Sequence, residues 1–243
     1  MPSTADTLAM PRRIKNLNRP SPAFSKLLHR YTQGSSSMKM HRLLISLAAL
    51  VTCTSSFAAA PALQSFLACD QNSLAVVSQP GLKDRVTHKV ENGRITLSGG
   101  TKSDMGQRWM FDTPLTFDGM TLTGFFAEDQ DLMGPRIINW GFYTEQAPDA
   151  LYAQLSKVPG TALEKANGIF ARAQIWSHKQ SAWVPEGGDD NAGKLVTDTA
   201  ERILMVEPAP SDLAKPSNGM ITCSVQGAVS AAMLKTTRPD LIK

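Results

Sequence analysis

Four sets of side chains downstream of residue 60 have the chemistry to do more than pack: two histidines, a pair of tryptophans beside one of them, short acidic clusters and two cysteines. Histidine suits proton transfer near neutrality because its unperturbed pKa is about 6.5. Downstream of residue 60 it occurs only as His88 and His178. His178 stands between Trp176 and Trp183 in a polar stretch that reads as a hairpin-like connection. With a carboxylate neighbour it would serve as a general base, and the indoles would stack a sugar or ligand ring. His88 alternates with Val86 and Val90, which is a packing position on a strand.

The acids offer weaker chemistry. Asp129, Asp131 and Gly134 are spaced like the start of a calcium loop, since hard cations want converging carboxylates. That register then puts Met133 at the fifth position and Trp140 at the twelfth, where oxygen ligands belong, so a solvated hairpin connection is expected instead. Glu186, Asp189 and Asp190 flank Gly187 and Gly188 in a Gly, Asp and Asn loop over 185–193, too loose to hold a cation. No HExxH, GxSxG, P-loop or GxGxxG pattern occurs. No catalytic residue, metal ligand or cofactor is therefore assigned. The candidate binding positions are Asp129, Asp131, Trp176, His178 and Trp183.

The cysteines depend on where the chain goes. Residues 38–60 have the three-part build of a secretory signal peptide: a basic start at Lys39 and Arg42, an apolar run over 43–51, and a small-residue zone ending in Ala58, Ala59 and Ala60. Residues 1–37 carry six Lys+Arg against Asp6 with no apolar period, and are expected to be a disordered upstream extension, untranslated in the native protein. A transit peptide is the rival reading, but an export signal directly behind it would be redundant. Residues 61–243 then form one mature domain, periplasmic or secreted. In that oxidising compartment Cys69 and Cys223 are expected to form a disulfide that pins the two ends of the domain.

Charge follows the same division. Eight of the 25 Lys+Arg and one of the 21 Asp+Glu precede residue 61, so the mature chain has 17 basic and 20 acidic residues, near −3 rather than the +4 of the whole. The excess of base belongs to the leader. Nucleic acid is excluded as a partner on this count, and no later apolar run is long enough to keep the mature chain in a membrane.

The elements that must position these residues are mostly short and alternating. Asn92-Gly93 and Asp118-Gly119 separate alternating apolar runs, as tight hairpins require, because type I′ turns need positive φ at both central positions. Ile138, Trp140 and Phe142 fall on one face of a strand over 136–144, and Ile169, Ala171, Ala173 and Ile175 on one face of another. Residues 202–206 read as a strand buried on both faces, and 220–225 as a strand carrying Cys223. A helix is predicted over 148–158, started by Pro148 and Asp149, and a short one after Thr161 with Glu164 as its capping box. Residues 63–77 read as helical with Cys69 inside, and 227–234 as strand continuation or a terminal helix. The expected fold is α+β: a twisted antiparallel sheet built from hairpins, covered by one main helix, with a closed β-barrel as the alternative. The expected function is a non-catalytic binding or inhibitor-type protein whose partner is a protein or small ligand of the envelope. The alternative is an envelope hydrolase with a site around His178.

Overall fold

The structure, a computed structural model, describes residues 60–166, 168–186 and 198–242. The extension at 1–37, nearly all of the signal-peptide segment, and Asp189 and Asp190 lie outside the described residues.

The chain opens with α1 (Ala60–Leu67) and a 3-10 turn (Ser73–Ser78), then a separate two-stranded ribbon of β1 (His88–Glu91) and β2 (Arg94–Leu97). A single antiparallel sheet follows. It comprises β3 (Thr101–Lys102), β4 (Gly106–Phe117), β5 (Met120–Asp131), β6 (Arg136–Thr144), β7 (Glu164–Ala166), β8 (Ile169–Ser177), β9 (Ala182–Pro185), β10 (Ala200–Pro208) and β11 (Gly219–Gly227). The order across the sheet is β3-β4-β5-β6-β11-β10-β8-β7, and β9 pairs with β8 beyond β7 on the same edge. The sheet is open, not a closed barrel. After β6 the chain crosses to the far edge through α2 (Pro148–Leu155), then meanders back until β11 meets β6. A short α3 (Ala231–Lys235) follows β11, and the chain ends in a 3-10 turn (Pro239–Leu241).

Both predicted tight turns are present. Asn92-Gly93 (φ 51° and 75°) joins β1 to β2, and Asp118-Gly119 (φ 49° and 76°) joins β4 to β5. Strand alternation then sorts the side chains. One face carries Trp109, Phe125, Ile138, Trp140, Phe142, Phe170, Leu204, Val206, Ile221, Cys223 and Val225, all buried. The helices lie on this face: Phe66 of α1 meets Phe142 edge-on with ring centres 5.1 Å apart, and Tyr152 of α2 stacks on Phe170 at 4.2 Å. Cys69 is bonded to Cys223, enclosing 154 positions of sequence.

Four expectations need correction. One main helix does not stand out among the described residues: α1 and α2 have eight residues each and both pack on the closed face. Residues 63–77 are not one helix, because Cys69 takes φ +52° to reach its partner and Asp70 accepts the Asn72 N–H at 2.8 Å, turning the chain into the 3-10 segment. The residues after Thr161 form β7 instead of a helix, with Ala166 opposite Ile169 across a tight turn where Gly168 takes φ +82°. Residues 202–206 are not buried on both faces: Leu204 and Val206 are buried on the closed face beside the half-buried Arg202, while Ile203 and Met205 are only half-buried on the other.

Candidate functional site

Three of the five sequence-predicted binding residues come together. Trp176 of β8 lies directly opposite Trp183 of β9, with ring centres 5.3 Å apart and tilted by 74°. Trp183 donates its indole N–H to Thr236 at 2.9 Å, and the Arg202 guanidinium lies 5.2 Å from its ring centre. Gln174 takes two donations from Arg202, at 3.0 and 2.6 Å. Burial pulls the Arg202 pKa down to about 10, helped by the like charge of Arg172 and opposed by Asp70. Trp176 is buried, so the pair is mainly a lock between the sheet edge and the chain after α3. His178 lies exposed in the β8–β9 connection, with Nε2 2.7 Å from the Asp198 carbonyl oxygen. Among the described residues no carboxylate is bonded to it.

Asp129 and Asp131 lie elsewhere. Four strand steps of ~4.8 Å separate β5 from β8, so the acids stand roughly 19 Å from Trp176 along the sheet, with Trp183 one strand further. Arg136 grips Asp129 through two donations of 2.7 Å, and Asp131 accepts the Gly134 N–H at 3.3 Å. Both acids are thereby used to close the β5–β6 hairpin. Asp129 also borders a cleft of ≈ 290 Å³ shared with Thr96, Gln107, Glu128, Arg238 and Asp240. At its base the buried Arg238 forks onto Asp240 at 2.8 and 2.7 Å and lies over the Trp140 ring at 5.2 Å. A larger groove of ≈ 690 Å³ runs between α1, α2 and the β4–β5 turn, where burial raises the pKa of Asp118.

His88 is bonded on both nitrogens. Nδ1 lies 2.7 Å from the Val86 carbonyl oxygen, which can only accept, so Nδ1 holds the proton. Nε2 of the neutral ring is then free to accept from the Ser78 hydroxyl at 2.9 Å. That geometry couples a hydroxyl to a base. Among the described residues no side-chain carboxylate is bonded to this histidine.

The second face of the sheet carries what sequence reading missed. It presents Glu128, Asn139, Ser224 and Ile203 in one cross-strand row, and Phe126, Thr222 and Met205 in the next. Asn139 donates to Glu128 at 3.1 Å, Gln226 to Glu201 at 3.2 Å and Thr222 to Glu207 at 3.1 Å. Phe126 stacks on Tyr143 at 4.8 Å. Desolvation pushes the Tyr143 phenol up to about 12. Burial also raises the carboxyl pKa of Glu207 and of Glu186, with the charges of Glu128 and Glu201 adding to the respective shifts. Family models, curated proteins and solved structures give no match to this chain. The geometry must therefore carry the reading. Among the described residues no group of three or more His, Cys, Asp or Glu is placed to share a metal ion, and no helix is long and apolar enough to cross a membrane. The only sequence signal for the second face was the run of alternate polar residues along β5, β6 and β11, which also marks an ordinary solvated face.

Proposed function

We propose that this is an exported, non-catalytic binding or inhibitor-type protein that meets its partner through the open face of the sheet and the hairpin tips beside it. The observation that carries this reading is the asymmetry of the sheet. Its helices and disulfide gather on one face, while the other holds carboxylates, amides and aromatic rings in a fixed cross-strand array. A rigid scaffold presenting set side chains loses little entropy on binding. The disulfide fits an oxidising compartment.

Two experiments test it. Expressed from Met38 in a bacterium, the protein should reach the periplasm with a new N-terminus between Ala59 and Leu63, as N-terminal sequencing will read. Where loss of the chain has a cellular phenotype, a His88→Ala/His178→Ala variant should complement fully. Met205→Lys, half-buried at the centre of the open face, should not, with folding verified by circular dichroism. A loss of about a hundredfold or more in the double histidine variant, the scale of general acid-base catalysis, would replace the binding reading with an enzyme.

A hydrolase is the second reading, and the Ser78–His88 contact favours it over a site at His178. A fluorophosphonate reagent distinguishes them: an adduct on Ser78 that disappears in His88→Ala supports the hydrolase, and unlabelled protein dismisses it.

A further inference from the structure

Three of the four exposed large apolar side chains among the described residues sit at one end of the sheet: Met133 at 101% exposure, Leu132 at 49% and Met105 at 42%. Leu132 and Met133 form the tip of the β5–β6 hairpin. Met105 lies in the neighbouring β3–β4 turn, where its carbonyl accepts the Asp129 N–H at 3.2 Å. Asp129 is four residues before Met133, so about 13 Å of extended strand joins the two turns. They form one patch.

The tip is held rigidly. The Leu132 N–H donates to the Pro135 carbonyl at 2.8 Å, Asp131 takes the Gly134 N–H, and the Arg136–Asp129 fork clamps the strands below. Within it Met133 takes φ +58°, a region that side-chain-bearing residues rarely adopt unless they are Asn or Asp. Elsewhere Asn92 (φ 51°), Asp118 (φ 49°) and Asp198 (φ 62°) meet this demand conventionally, Cys69 (φ 52°) is disulfide-bonded and Ser181 (φ 49°) is small and polar. At 133 an apolar side chain takes the strained position and points wholly into solvent. Turn formation does not account for that choice. Methionine is flexible and polarisable, which suits it to filling a pocket on another molecule. The charges nearby are Asp104, Asp129 and Asp131 against Lys102 and Arg136. With Arg136 committed to Asp129, the remaining surface is slightly acidic, which disfavours anionic lipid and favours a basic rim.

We infer that the Leu132-Met133 tip, flanked by Met105, is the anchor that seats this protein in an apolar, basic-rimmed pocket of a protein partner. This rests on the binding reading above and assigns it a contact residue. The experiment is to place a photo-crosslinking amino acid at position 133, with Lys179 on the exposed β8–β9 connection as the control position, and irradiate cells producing the protein. A protein crosslinked from 133 and not from 179 is then purified and titrated against wild type and Met133→Asp. The expected result is a loss of about tenfold or more in affinity, the scale of one buried methionine side chain, with the melting temperature unchanged. Four outcomes overturn the inference: no crosslink specific to 133, equal affinity of Met133→Asp, wild-type binding to phosphatidylethanolamine/phosphatidylglycerol vesicles that Met133→Asp abolishes, or dimerisation that the same change abolishes. If Met133→Asp binds normally and Met205→Lys does not, the anchor falls while the binding reading stands. If neither substitution matters, both fall.

Discussion

The two faces of the large sheet are built from the same strands and held by different physics. On the closed face Phe66, Phe125 and Phe142 meet edge-on at 5.0–5.1 Å, and the disulfide fastens the turn after α1 to β11. On the open face the neighbours are bonded pairs: Glu128 with Asn139, Glu201 with Gln226, Glu207 with Thr222. Apolar contact stabilises in proportion to the area removed from water, whereas an exchanged hydrogen bond contributes only about 1 kcal/mol and a buried carboxylate charge costs free energy. Truncation should therefore be expensive on one face and cheap on the other. An array that adds little stability has to be explained by what it touches.

The largest effect should come from the bond that closes the first face. Replacing both Cys69 and Cys223 by alanine releases a loop of 154 positions, for which chain entropy predicts a loss of up to about 5 kcal/mol. Urea unfolding of the variant and the wild type measures it. A loss below about 1 kcal/mol would mean that packing alone holds α1 down, and the contrast between the faces would then rest on the aromatic cluster.

Gly141 sharpens the comparison because it stands in the open-face row between Phe126 and Thr222. A methyl group there would run into the Ile221 carbonyl of β11 and lie 3.1 Å from the Phe126 ring, so the ring and the neighbouring backbone both depend on the missing side chain. Gly141→Ala should cost about 1–3 kcal/mol by overpacking and separate β6 from β11. Thermal unfolding with amide exchange along β11 will report it. A neutral result would show that the open face is soft enough to yield.

Much of the architecture was legible because its signals are local. Asn92-Gly93 and Asp118-Gly119 name their turn type, and cysteine parity named the disulfide. Misreadings came where a distant constraint overrode a local one. Thr161 and Glu164 satisfy a capping pattern, yet the free edge of β8 captured the segment as a strand. The apolar run after Leu63 is interrupted because Cys69 must reach Cys223. Among the candidate site residues, Trp176, His178 and Trp183 share one hairpin and were found by proximity in sequence. Glu128 belongs to the β5–β6 pair and Glu201 and Glu207 to the β10–β11 pair, and only the β6–β11 pairing that follows the crossover through α2 sets these two pairs side by side. The contact of Ser78 with His88 likewise depends on the turn between the 3-10 segment and β1.

The smallest predicted effect has the opposite sign, and Glu207→Gln displays it. Desolvation raises the Glu207 pKa above its ordinary 4.5, Thr222's hydrogen bond opposes the rise, and the charge of Glu128 adds to it. A carboxyl group whose folded pKa is raised holds its proton more tightly in the folded state than in the unfolded one. Its favourable contribution is complete below the unfolded pKa and is lost as pH rises through the folded pKa, so near neutrality the ionised side chain is a liability. Glutamine keeps an oxygen that can accept from Thr222 and removes the charge. Glu207→Gln should therefore melt slightly above wild type near neutral pH, and the advantage should fade as pH falls through the raised folded pKa and be gone below the unfolded value of 4.5. Calorimetry across that range decides the matter. If the variant is less stable at every pH, the charged bond to Thr222 outweighs desolvation, and the open face is held by its carboxylates after all. If the advantage appears near neutrality and is gone at low pH, Glu207 carries a charge at neutral pH that folding does not favour, as the proposed binding role of this face requires.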